Sequence, residues 1–76
     1  MTRSDLKDIL DGKGVKEGAY SLYGGISEDT LCIDENYGTW SVYYAERGTR
    51  WDEKKFDSED AACRYFLHLI EKFMRI

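Results

Sequence analysis

The eight residues from Thr39 to Glu46 alternate between two faces, with Trp40, Val42 and Tyr44 on one side and Ser41, Tyr43 and Ala45 on the other. A period of two is the mark of a β-strand with two unlike faces. The segment is bounded by Glu35-Asn36-Tyr37-Gly38 and by Arg47-Gly48-Thr49. Both read as tight turns, and in the first Asn and Gly are expected to supply the unusual backbone angles. A strand held between two such turns pairs antiparallel with its neighbours. This stretch therefore commits the middle of the chain to an antiparallel sheet, one face buried and the other partly exposed.

The flanking segments extend that sheet. Thr30 to Ile33 reads as a short strand with Leu31 and Ile33 on a shared face. Arg50 to Phe56 reads as another, and its Asp52, Glu53, Lys54 and Lys55 suit an edge, where charge discourages pairing with other chains. Upstream, Gly18 to Tyr23 reads as a first strand stopped by Gly24-Gly25, with Ile26 to Asp29 as a polar connection.

Helical spacing appears at both ends. Leu6, Ile9 and Leu10 share one helix face behind Ser4, a candidate N-cap, and Gly12 and Gly14 end the helix. Asp57 or Ser58 caps a longer C-terminal helix, with Glu59 and Asp60 at the positive end of its dipole. Ala62, Phe66, Leu69 and Phe73 form one stripe, widened by Tyr65, Ile70 and Met74. The expected architecture is α-β-β-β-β-α. It is a two-layer α+β domain with an antiparallel meander of four strands, or of three, packed against the long C-terminal helix, and a short N-terminal helix beside it.

Size makes this one domain, residues 1–76. A core this small must be efficient, and an aromatic share of 14% helps, because each ring buries a large area. The net charge of −4 disfavours nucleic acid and anionic membrane, which require a positive footprint, and is compatible with a basic protein partner. Two cysteines are too few for a disulfide-built secreted domain, and residues 1–10 lack the apolar run of a signal peptide. A cytoplasmic protein with two reduced thiols is the expectation.

No catalytic constellation stands out, so the reading is that the chain is not an enzyme. His68 is the single histidine and reads as a surface or boundary residue on the last helix. Cys32 alternates against Leu31 and Ile33 and falls on the outer sheet face, whereas Cys63 lies among Ala61, Ala62, Tyr65 and Phe66 and reads as core. One His and two distant Cys do not make a zinc site, and no cofactor motif is present. What remains is surface. Tyr37, Tyr43, Arg47 and Trp51 belong to the residue types richest in interface hot spots, and Asp34 and Glu35 lie at a hairpin beside them. These six are the candidate partner contacts; the competing reading is that one or two of the rings cover the sheet.

The run Trp40-Ser-Val-Tyr-Tyr-Ala-Glu-Arg-Gly48, with Phe56-Asp-Ser-Glu-Asp-Ala-Ala-Cys63, Tyr65-Phe66 and the upstream Tyr23-Gly24-Gly25-Ile26, resembles small immunity proteins of bacterial polymorphic toxin systems. The likeness covers the chain after Tyr20 and lies mostly in structural motifs. It implies a non-catalytic cytoplasmic inhibitor that binds a toxin's catalytic domain. The acidic balance would suit a basic toxin. The resemblance assigns no contact residues. Two other readings stay open: an acidic phage-type inhibitor that imitates nucleic acid, and a small sheet-based module that binds a ligand or nucleic acid or self-associates through its sheet.

Overall fold

The computed structural model describes residues 1–23 and 29–74. The expected Gly24-Gly25 stop, most of the Ile26–Asp29 connection and the Arg75 position lie outside them. Helix α1 spans Arg3–Gly12, two residues earlier than a Ser4 cap suggested. Thr2 is its N-cap. The Asp5 amide donates to Thr2 Oγ1 at 3.2 Å, and the Thr2 amide donates to an Asp5 carboxylate oxygen at 3.0 Å. That reciprocal box needs an acid three residues after the cap. Thr2 has one in Asp5; Ser4 would have Lys7.

A 3-10 turn at Glu17–Ala19 leads into β1, which is only Tyr20–Ser21. Strands β2 (Thr30–Asn36), β3 (Thr39–Glu46) and β4 (Thr49–Phe56) follow, then α2 (Glu59–Met74). The sheet order is β1-β2-β3-β4, and the fold is α+β with the element order expected. The last three strands form the antiparallel meander. β1 differs: it pairs parallel to β2, Tyr20 beside Leu31 and Ser21 beside Cys32. An antiparallel hairpin would need only a short turn after Ser21. Parallel pairing excludes such a turn, and Leu22, the residue after the strand, is buried.

Both hairpin turns are two residues long with positive φ at each position. Tyr37 and Gly38 lie at 53° and 85°, Arg47 and Gly48 at 52° and 75°. Two positive angles define the turn that matches the strands' own twist. Asn36 was expected to help bend the first turn, but it pairs with Thr39 and the left-handed position falls on Tyr37.

β4 contains a bulge. Tyr44 faces Trp51 and Val42 faces Lys54, so Tyr43 is opposed by both Asp52 and Glu53. Trp51 and Phe56 are five residues apart and would face opposite sides of a regular strand. The extra residue resets the alternation and brings both to the helix-covered face. There Phe56 packs on Tyr65 of α2 with ring centroids 5.3 Å apart. Asp52 absorbs the distortion at φ 53°, a conformation that Asp tolerates better than most residues.

Ser58 caps α2, accepting from the Ala61 amide at 3.1 Å. The core lies between the helices and the sheet. It joins Leu6 and Leu10 of α1, Leu31 and Ile33 of β2, Val42 of β3 and Ala62, Cys63, Phe66 and Ile70 of α2. The buried stripe of α2 is therefore rotated from the expected one: Cys63 and Ile70 are inside, Leu69 is half-buried and Phe73 is exposed. The cause is α1, which packs on α2 and draws the buried side of that helix round toward it.

The opposite sheet face also departs from expectation. Cys32, Tyr43 and Ala45 form a second buried cluster there, and Thr30 and Ser41 beside them are buried too. Small side chains lie around Tyr43, and the long Arg50 side chain of β4 reaches back over its ring.

Candidate functional site

β4 is the edge strand opposite β1 and is exposed from Thr49 to Lys55, while Phe56 at its end packs on Tyr65 of α2. An open groove follows. One part, about 490 Å³, is lined by Ala19, Asp29, Leu31, Tyr44, Asp52, Ile70 and Phe73. The next, about 330 Å³, shares Leu31, Tyr44, Asp52 and Phe73 and continues to Tyr65, Leu69, Lys54 and Lys72. The walls are mainly apolar and aromatic, and the charges sit on them singly. Phe73 is 62% exposed on this groove, and Trp51, 53% exposed, stands next to Tyr44 across the β3–β4 pair.

Each element contributes for a local reason. The alternation of β3 puts Tyr44 on the helix-covered side, where its hydroxyl donates to Asp29 at 3.5 Å. The Tyr44 phenol is held above its usual ionisation range by desolvation first and then by Asp29 and Glu46. Asp52, at the β4 bulge, lines the groove, while Arg50 and Glu53 stay together on the other face, joined at 3.0 Å. On α2, the rotation forced by α1 leaves Phe73 outside the core.

The six candidate contacts do not form one patch. Tyr37 is wholly exposed at the β2–β3 turn, beside Glu35, whose carboxylate accepts from the Gly38 amide at 2.7 Å. Arg47 is exposed at the β3–β4 turn, the far end of β3. Asp34 lies on the face away from the helices, 3.5 Å from Arg50. Tyr43 was expected to project from that face and does not: it is 1% exposed, under the Arg50 guanidinium. Only Trp51 stands beside the groove. Phe73, Tyr44, Asp29 and Asp52 were missed as site residues. Phe73 and Tyr44 were hidden because their spacing reads as core. Asp52 had a signal in the five-residue separation of Trp51 and Phe56, which calls for a bulge between them.

The thiols are poor nucleophiles as placed. Burial pushes Cys63 up to about 11, and it raises Cys32 as well. Both are buried and outside any disulfide, and Cys32 donates to the Thr30 carbonyl at 3.6 Å. His68 is exposed on α2. Among the described residues no three of His, Cys, Asp and Glu converge as a metal-ligand set, and no helix is long and apolar enough to cross a membrane.

No protein family model, curated protein or solved structure matches this chain.

Proposed function

We propose that this chain is a non-catalytic, immunity-type inhibitor that binds and blocks a bacterial toxin's catalytic domain through the groove between α2 and β3–β4. The observation that carries the reading is the exposure of Phe73 on a mainly apolar groove, with the exposed Trp51 next to its Tyr44 wall. Single exposed rings are ordinary, but rings gathered on one concave surface mark a place of contact. Aromatic anchors of this kind dominate the energy of protein interfaces. The net charge of −4 favours a basic partner by speeding encounter.

Imitation of nucleic acid has less support. It asks for a continuous acidic face, whereas here acids alternate with bases. Asp11 pairs with Lys7, Glu71 with Lys13, Asp60 with Arg64, and Asp34 and Glu53 with Arg50. Edge-to-edge self-association through β4 is opposed by the bulge and the charges on that strand.

The test is co-expression with the product of the reading frame immediately upstream in the native strain. The expected result is that the wild-type chain prevents growth arrest and co-purifies with that product. The W51A/F73A double variant, shown to be folded by circular dichroism, should do neither. Growth arrest despite the wild-type chain would remove the proposal.

A further inference from the structure

We infer that the groove is also where two copies of this chain meet, face to face about a two-fold axis, with Phe73 of each entering the hollow of the other. This goes beyond the inhibitor reading and rests on it only for its consequence: the pair holds the inhibitor surface closed until the toxin displaces one copy. A two-fold contact uses one patch twice, so the patch has to be complementary to itself. The groove meets that condition in shape. It presents a ring, Phe73, 62% exposed, and beside that ring a mainly apolar hollow of about 490 Å³. A knob and a hollow on one surface close into a pair, whereas on two separate surfaces they would run on into fibres. The exposed Trp51, across from Tyr44, adds apolar area at the edge.

The groove meets it in charge as well. Its two parts share Leu31, Tyr44, Asp52 and Phe73, so these four lie between them. Asp29 lines only the larger part, and Lys54 and Lys72 only the smaller. The chain carries −4 overall, but the charged residues described on the groove are two acids and two bases. Repulsion between whole copies is therefore not concentrated where they touch. The unlike ends also fix the orientation. With the axis across the groove, the Asp29 end of each copy faces the lysine end of the other; with the axis along it, lysine would face lysine. Opposed charges select register in this way. The copies meet by the helix-covered side of the sheet and not edge to edge, so the β4 bulge does not oppose them. The patch is small and its charges are solvated, which makes the pair a weak one, dissociating on the order of 100 μM.

Sedimentation velocity of the full chain, from about 10 μM to about 1 mM, is expected to show a concentration-dependent equilibrium between one chain and two. F73E should weaken the pair at least about tenfold. So should D29K, which sets base against base, and K54E/K72E, which sets acid against acid, each shown to be folded by circular dichroism. An equimolar mixture of these two should pair again, because one copy is then basic at both ends and the other acidic at both. Asp29 sits on left-handed backbone at φ 54°, where Lys is strained, whereas K54E/K72E touches no such position and reads the orientation by itself. A wild-type chain that stays single at about 1 mM overturns the inference and leaves the groove to a foreign partner. So does a pair that F73E or K54E/K72E leaves intact, or a mixture of the folded variants that stays single. No toxin is needed, so failure here leaves the inhibitor reading standing. Failure of the wild-type chain to protect cells would remove that reading without altering the sedimentation result.

Discussion

The Arg50 guanidinium sits 4.2 Å from the centre of the Tyr43 ring, on the sheet face that carries no helix. It is held there by Asp34 at 3.5 Å and Glu53 at 3.0 Å. The arrangement explains how a two-layer domain buries a tyrosine on its open side. The β4 bulge is opposite Tyr43 itself, so Glu53 and the ring that Arg50 covers belong to one local distortion, while Asp34 contributes from β2.

Replacing Arg50 should therefore act on stability through Tyr43. Arg50→Ala removes the ring contact and two exposed ion pairs, and should cost about 1–2 kcal/mol. Arg50→Met keeps much of the apolar cover and should recover part of that loss. Urea unfolding of the three proteins measures both effects. Equal stability of wild type and Arg50→Ala would show that the stack contributes nothing.

Tyr37 holds a left-handed conformation while contributing no packing, being wholly exposed. Such a residue is under local strain that Asn or Gly would relieve. Tyr37→Asn should raise stability by about 0.5–1 kcal/mol, toward the low end of the left-handed penalty. Gly38→Ala should lower it by about 1 kcal/mol from backbone strain alone, since a Cβ there meets nothing within 4 Å. Midpoints of thermal unfolding that move in the same direction for both changes would contradict this account.

Two phenylalanines about two turns apart on α2 should behave oppositely. Phe66 is fully buried and packs edge-on against Tyr20, ring centroids 6.3 Å apart, whereas Phe73 lies on the open groove. Phe66→Ala should cost about 3–5 kcal/mol, a large fraction of the stability of so small a domain. Phe73→Ala should change folding by within about 0.5 kcal/mol, as expected at an exposed position. Chemical denaturation followed by far-ultraviolet circular dichroism separates the two. A comparable loss at Phe73 would mean that the groove is closed in solution.

Burial raises the folded Cys63 thiol from 9.0 to about 11. Between those values the unfolded chain loses its thiol proton while the folded chain keeps it. Stability is therefore unaffected by this group below pH 9 and falls as pH rises toward 11. Cys32 is shifted in the same direction by the same cause. Urea midpoints measured across pH 8–11 should decline, and less steeply for Cys63→Ala. At pH 8 neither thiol should react with a disulfide reagent until the protein unfolds. Rapid labelling of either in the folded protein would show that its burial is incomplete.

The element types were legible because they depend on neighbours along the chain. Period-two alternation marks β3, glycines mark both turns, unbroken charge marks β4 as an edge, and i, i+4 spacing marks the helices. The candidate site was much less legible, since Trp51 alone among the expected contacts stands by the groove. Tyr43 alternates like an outward residue and is buried because Cys32 and Ala45 pack beside it and Arg50, seven positions later, folds back over it. Phe73 has the spacing of a core residue and is exposed only because α1, far away in sequence, claims a different side of α2. Asp29 and Asp52 take on meaning once the sheet and α2 set them around one groove. Local backbone preference and hydrophobic period are properties of a short segment and can be read from it. Pairing direction, register and helix docking are set by contacts between distant segments, and their energies have no counterpart in any single stretch of residues.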